Sequence, residues 1–216
     1  MTDAGLRMLT LLDYVATFAW AASGSVAGIQ KHFDIVGVFV MALVSSTGGS
    51  LMRDGFFLQR KPPLLTDPVY LPLIAVAATL TILFTRRLTR LPGATTLIDI
   101  IDALGVPAFA VIGMQMAQAA QVSLPGIVFI GVVNGTGGGL LRDVVVGDVP
   151  ALLRPGHFSA VMLLLVCGLF LFLTMRADVR PPQAASITVA LFFLVRLLTV
   201  RFNWRTRPMG QASGRS

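Results

Sequence analysis

Long apolar runs alternate with short polar breaks along the chain. Seven runs are long enough to cross about 30 Å of hydrocarbon, at residues 9–29, 35–58, 69–85, 95–120, 124–147, 158–175 and 184–201. The breaks carry charge or proline: Gln-Lys-His-Phe-Asp at 30–34, Gln-Arg-Lys-Pro-Pro at 59–63, Arg-Arg-Leu-Thr-Arg at 86–90 and Arg-Ala-Asp-Val-Arg-Pro-Pro at 176–182. The sixth run is the cleanest helix, and Arg196 interrupts the seventh. The first run ends in small residues, as a signal peptide does, but Asp13 breaks it and only Arg7 precedes it. It is expected to stay in the protein. The pattern predicts an all-α membrane protein with seven transmembrane helices.

The polar positions inside these runs repeat. TGGSLMRD at 47–54 returns as TGGGLLRD at 136–143, an offset of 89 residues. At that offset Asp13 falls on Asp102, Gly24 on Gly113 and Gly37 on Gly126. Thr47, Gly48, Gly49, Arg53 and Asp54 likewise fall on Thr136, Gly137, Gly138, Arg142 and Asp143. Two aspartates, an arginine and several glycines do not align by chance among apolar helices. The chain is read as a duplication, with a first three-helix repeat over 1–91, a second over 92–180, a seventh helix over 181–201 and a basic tail over 202–216. Three crossings are an odd number, so the second repeat enters from the opposite face. Inverted repeats of this kind commonly place a site near mid-depth between the halves.

Consecutive glycines cost a helix about 1 kcal/mol each relative to alanine, so their position near mid-membrane needs a reason. One reason is close helix packing, where small residues let backbones approach. The other is a bend that frees backbone carbonyls toward water, tolerated only beside a cavity. Ser45, Ser46, Thr47 and Ser50 surround the first glycine pair, and Asn134 and Thr136 flank Gly137, Gly138 and Gly139. That polar concentration favours a hydrated passage lined by Ser46, Thr47, Gly48, Gly49, Ser50, Asn134, Thr136 and Gly137–Gly139. Arg53 and Asp54, being neighbours, point about 100° apart on a helix and are expected to be poor partners. Charges at depth need partners, and topology offers Asp13 for Arg53 and Asp102 for Arg142, one pair closing each end. Asp54 and Asp143 complete the charged sets. Pro107 in the fourth run is expected to bend it, and Pro72 lies within the third.

Composition narrows the function classes. Charged residues are 12% of the chain and the mean hydropathy is +0.81, against about 25% charge in soluble domains. The net charge of +7 comes from bases scattered between apolar runs, which suits anionic headgroups rather than nucleic acid. Excluding bases inside spans, the side holding the first terminus carries Arg7, Arg60, Lys61, Arg176 and Arg180. The other carries Lys31, Arg86, Arg87, Arg90, Arg154, Arg201, Arg205, Arg207 and Arg215. The excess predicts a cytoplasmic C-terminus and an external N-terminus. The single Cys167 reads as a buried apolar residue, and His32 and His157 stand alone in loops, so neither a metal site nor a cofactor is expected. No nucleophile–base pair suggests an enzyme.

The paired Thr-Gly-Gly-Gly/Ser-x-x-Arg-Asp motifs, one per three-helix unit, resemble those of the prokaryotic trimeric intracellular cation (TRIC) channels, and the resemblance spans residues 9–201. It implies a seven-helix protomer in a homotrimer, a pore in each protomer, and conduction of monovalent cations, chiefly potassium. It also implies that glycine kinks in the second and fifth spans line the pore, here Gly48, Gly49, Gly137, Gly138 and Gly139. Ser50 departs from the pattern, standing where the second motif has Gly139. Potassium or sodium would be the permeant ion, lipid the surroundings, and a bacterial or archaeal plasma (inner) membrane the location. Other sequences with this duplicated domain are called putative glycine transporters, so secondary transport of a small zwitterion such as glycine is the alternative.

Overall fold

A computed structural model of the chain describes residues 3–88, 94–153 and 159–201. The helices are α1 (Asp3–Gln30), α2 (Ile35–Met52), α3 (Pro63–Thr66), α4 (Tyr70–Leu88), α5 (Ala94–Ala119), α6 (Leu124–Val145), α7 (Ser159–Met175) and α8 (Pro181–Arg201). Each of the seven expected spans corresponds to a helix, with α1 starting six residues early and, once the turn that continues α2 is counted, the other ends within three residues of those predicted. Two features were not foreseen: the single turn α3, and a π-turn over Arg53–Phe57 that continues α2. By length and composition, Ile35–Phe57, Ile101–Ala119 and Leu124–Val145 qualify as membrane spans, and Tyr70–Phe84, Val161–Met175 and Pro181–Val195 are shorter apolar helices. The tail beyond residue 201, with its expected interfacial Trp204, and His157 lie outside the described residues.

The duplication is visible in backbone detail. His32 and Gln121, 89 residues apart, both adopt the left-handed conformation, at φ 60° and 56°. Each turn closes with the same bond, from Phe33 N to the Gly28 carbonyl at 3.0 Å and from Val122 N to the Ala117 carbonyl at 3.1 Å. This is how a helix ends when its last carbonyls are taken by the following turn.

Helices α1, α2 and α4 form the first unit and α5, α6 and α7 the second, with α8 against α5. Helix α1 runs antiparallel to α5: Trp20 meets Phe109, its counterpart at the 89-residue offset, edge to face with centroids 5.6 Å apart. Equivalent side chains touching across the centre mark the inverted relation. One apolar core joins α5 to α8, with Phe170, Leu163 and Cys167 fully buried; another joins α1, α2 and α4 through Ala21, Ala42, Ile74 and Ala78. Leu83, Leu165 and Leu194 lie exposed on the outer faces of α4, α7 and α8, as lipid-facing side chains do. Pro72 is in the first turn of α4, where no ladder bond is lost, and Pro107 sits inside an α5 that continues on both sides of it.

Candidate functional site

Helices α2 and α6 cross at their glycines. α2 runs unbroken through Gly48 and Gly49, and α6 through Gly137, Gly138 and Gly139. The Arg53 N–H bonds the carbonyls of Gly49 and Ser50. Neither helix is broken at its glycines, as freed carbonyls would require. The glycines instead allow contact: a Cβ on Gly137 would lie 2.8 Å from the Gly49 Cα, and one on Gly48 would lie 2.7 Å from Leu141 Cδ1. A Cβ on Gly49 would collide with the Asn134 carbonyl, and one on Gly138 with the Ser45 carbonyl and the Trp20 ring. Asn134 and Ser45 are themselves repeat equivalents, so the seam obeys the same twofold relation. Gly139 stands apart, its nearest neighbour at 3.4 Å. That explains why its counterpart can be Ser50: the position lies beside the seam, not in it.

The hydroxyls expected to face a passage mostly bond their own helix. Ser46 donates to the Ala42 carbonyl (2.7 Å), Thr47 to Leu43 (2.7 Å), Ser50 to Thr47 (2.8 Å) and Thr136 to Val132 (2.7 Å). Such back-bonding satisfies a hydroxyl without any lumen. Ser45 differs: its Oγ is buried and has no partner among the described residues.

The buried charges are arranged partly as expected. Arg142 holds Asp102 through two bonds, Nη1 to Oδ1 at 3.0 Å and Nη2 to Oδ2 at 3.1 Å, and Nη1 also donates to Ser23 Oγ at 2.6 Å. The Asp13–Arg53 pair does not form. Arg53 gives Nη1 to Asn134 Oδ1 at 3.2 Å, while Asp13 accepts from the Tyr70 hydroxyl. Contrary to expectation, each arginine also clasps its own neighbour. Arg53 Nε and Nη2 reach Asp54 at 2.8 and 2.5 Å, and Arg142 Nε reaches Asp143 at 2.9 Å. The 100° argument fails because a guanidinium on three methylenes folds back beside its own helix and presents its donor fork sideways. Arg53 and Asp54 are 1% and 0% exposed, Arg142 and Asp143 2% and 8%. Unpaired, such charges would cost several kcal/mol each; these are paired on every side.

Two cavities flank this centre. One, of about 420 Å³, is lined by Asp13, Arg60, Asp67, Tyr70 and Gln115, next to the loop between α2 and α4. The other, of about 60 Å³, is lined by Trp20, Asp102, Thr136, Gly139, Arg142 and Asp143, next to the segment after α6. Room for one water needs roughly 10–15 Å³, so the second has space for a few waters and the first for many. Ser23, which touches Arg142, lies ten residues beyond Asp13 on α1, a rise of about 15 Å. The two cavities thus sit at opposite ends of the bundle, with the glycine seam between them.

Sequence reasoning missed several groups. Trp20 is wedged against Gly105 and Gly138 with its Nε1 buried and unpartnered among the described residues; its alignment with Phe109 was the available signal. Tyr14 donates to Asp67 at 2.5 Å and packs on Tyr70 at 5.4 Å. Neither tyrosine has an aromatic counterpart in the second repeat, so the duplication could not reveal them.

Comparison with known proteins matches this geometry. A family model described as glycine transporter matches residues 10–86 and again residues 99–175, two hits at the 89-residue offset. A UPF0126 membrane protein of Deinococcus radiodurans is 35% identical over 156 residues, covering 69% of this chain and 71% of its own. The UPF0126 inner membrane protein YadS of Escherichia coli is 30% identical over 194 residues, covering 89% and 91%. The chain belongs to this family. Its fold is that of the TRIC channels. The TRIC orthologue from Rhodobacter sphaeroides superposes with a TM-score of 0.82 at 25% identity, over 91% of this chain and 98% of that one. A prokaryotic TRIC channel in 0.5 M KCl gives 0.80 at 28% identity, over 92% and 98%. These neighbours are channels, a non-enzymatic class, and the inverted seven-helix architecture is common to them and this chain.

Proposed function

We propose that the protein conducts monovalent cations, chiefly potassium, along a path within each protomer that joins the Asp13 cavity to the Asp102 cavity beside α2 and α6. The observation carrying this reading is the charge at the two ends. Asp13 and Asp67 line one cavity together with Arg60, whose Nε pairs with Asp54 at 3.4 Å, and Asp102 and Asp143 line the other with Arg142. Two carboxylates against one guanidinium leave each end net negative, which draws cations and repels anions. The likeness to TRIC cation channels supports the same reading and supports a homotrimer with a pore in each copy. Thr136 and Gly139 would line the path, and the seam at Gly48, Gly49, Gly137 and Gly138 would be its narrowest level. An inner-membrane location agrees with the E. coli relative's name, and the loop bases favour an external N-terminus.

Purified protein in a planar bilayer tests this. Unitary current steps reversing near the potassium equilibrium potential are expected across a KCl gradient. The family model's description and the closed seam between two cavities favour a second reading, alternating transport of glycine. Saturable uptake of labelled glycine with no current steps would establish it instead.

A further inference from the structure

The duplication separates what both ends of the bundle share from what one end has alone. Asp13, Arg53 and Asp54 have the counterparts Asp102, Arg142 and Asp143. At the same offset Arg60, Asp67, Tyr70 and Gln115 fall on Val149, Gly156, Ser159 and Val26, so none of these four is repeated. All four line one cavity, that of about 420 Å³ beside Asp13. A twofold path asks the same of both ends. Four unrepeated polar groups around one cavity point to a second role there.

The walls of this cavity come from three directions. Trp20 of α1 meets Phe109 of the antiparallel α5, so Asp13 and Met116, seven residues further along each helix, stand at one level. Asp67 and Tyr70 close the third side in a reciprocal clasp. Tyr70 donates to Asp13 Oδ2, while Tyr14, next to Asp13 on α1, donates to Asp67 Oδ2 at 2.5 Å. The clasp holds Asp13 by one oxygen and leaves Oδ1 without a donor among the described residues. Gln115 lies on the α5 wall, its amide nitrogen and oxygen both buried and without a partner among the described residues. A buried amide left unmade is costly. Ile112, Met116 and Pro63 add apolar surface, and a few convergent polar groups on an apolar wall are the make-up of a small-molecule site. Charge selects the ligand. Asp54 accepts from Arg53 at 2.5 Å and from Arg60 at 3.4 Å; with Asp13 and Asp67, three carboxylates meet two guanidiniums and leave one negative charge.

We propose that this cavity binds an organic ammonium ion with an apolar body. The ammonium donates to Asp13 Oδ1 and Gln115 Oε1, and the body lies on Ile112, Met116 and Pro63. A charge of +1 balances the cavity, which a zwitterion does not. A bare potassium ion gains nothing from the apolar wall, so the site separates organic from inorganic cations. The clasp sets Asp13 in place beforehand, which lowers the ordering cost of binding. The site goes beyond conduction and does not depend on it: binding is read without current, and either reading can fail alone.

Isothermal titration of full-length protein in detergent, at constant KCl, tests this with phenethylammonium chloride as the probe. Its neutral analogue 2-phenylethanol measures partition into detergent, and L-phenylalanine adds a carboxylate to the same ammonium. Saturable binding of phenethylammonium is expected, with neither of the other two binding at the same concentrations. Asp13→Asn and Gln115→Leu should each weaken it about tenfold. Gln115→Leu removes only an unpartnered amide and should elute unchanged from a sizing column, which keeps the test decisive should Asp13→Asn fail to fold. Arg60→Gln takes a positive charge from the cavity and should not weaken binding. Equal heats from phenethylammonium and 2-phenylethanol, or undiminished binding in Gln115→Leu, would overturn the proposal. Phenylalanine binding that is lost in Arg60→Gln would overturn it in favour of a zwitterion site.

Discussion

Adding one methyl group to the seam measures what the glycines do. In Gly138→Ala the new Cβ meets the Ser45 carbonyl and the Trp20 ring. The carbonyl belongs to a helix backbone, and the ring is pinned against Gly105 and Phe109, so neither yields easily. Overpacking of this kind costs about 1–3 kcal/mol, and two rigid neighbours place it near 3. Alanine returns about 1 kcal/mol of helix propensity. The net loss is about 2 kcal/mol, which for a chain of this size lowers Tm by about 4–8 °C. Gly139→Ala, with its nearest neighbour at 3.4 Å, and Gly168→Ala, with nothing within 4 Å, are matched controls. They keep the propensity gain without the collision, so their Tm should hold or rise by about 2–4 °C. Thermal unfolding in detergent, followed by size-exclusion recovery, reads all three. If Gly138→Ala matches the controls, the seam is not a close-packed contact and the packing account fails.

Other consequences follow from the same geometry. Asn134→Ala removes the acceptor of a buried guanidinium and the donor to the Phe109 carbonyl at 2.5 Å, which should cost about 2–3 kcal/mol in unfolding; Asn134→Ser, the residue of the other repeat, should recover part of it. Tyr70→Phe leaves Asp13 without its hydroxyl donor, a loss of about 2 kcal/mol that Tyr14→Phe, whose ring lies nearer the surface, should not equal. Lys31→Ala removes an ion pair with Asp148 whose side chains are 39% and 43% exposed; at such exposure the change should stay within about 1 kcal/mol.

Much of the architecture could be read before any coordinates, and the reasons are specific. Lipid demands long apolar helices, so span ends fell where charge and proline fell. Duplication gave two views of each position, and two aligned aspartates with two aligned arginines predicted the Asp102–Arg142 pair. The same logic failed at Asp13, because Tyr70 is present in only one copy and takes the carboxylate that Arg53 was expected to hold. The glycines misled for a different reason. A bend and a close approach both call for a missing Cβ, and only the opposing backbone across the seam decides between them. Ser50 carried that information in advance: a side chain tolerated at one of the three glycine positions meant that this position faced away from the contact.

The path between the two cavities is the claim on which the functional account turns, and Thr136 offers direct access to it. In Cys167→Ala protein carrying Thr136→Cys, recorded in a planar bilayer under a KCl gradient, a positively charged thiol reagent should reduce the potassium current stepwise as each protomer is modified. Protein without the new cysteine should be unaffected. Full current persisting after complete modification would place the ion path elsewhere and contradict the account.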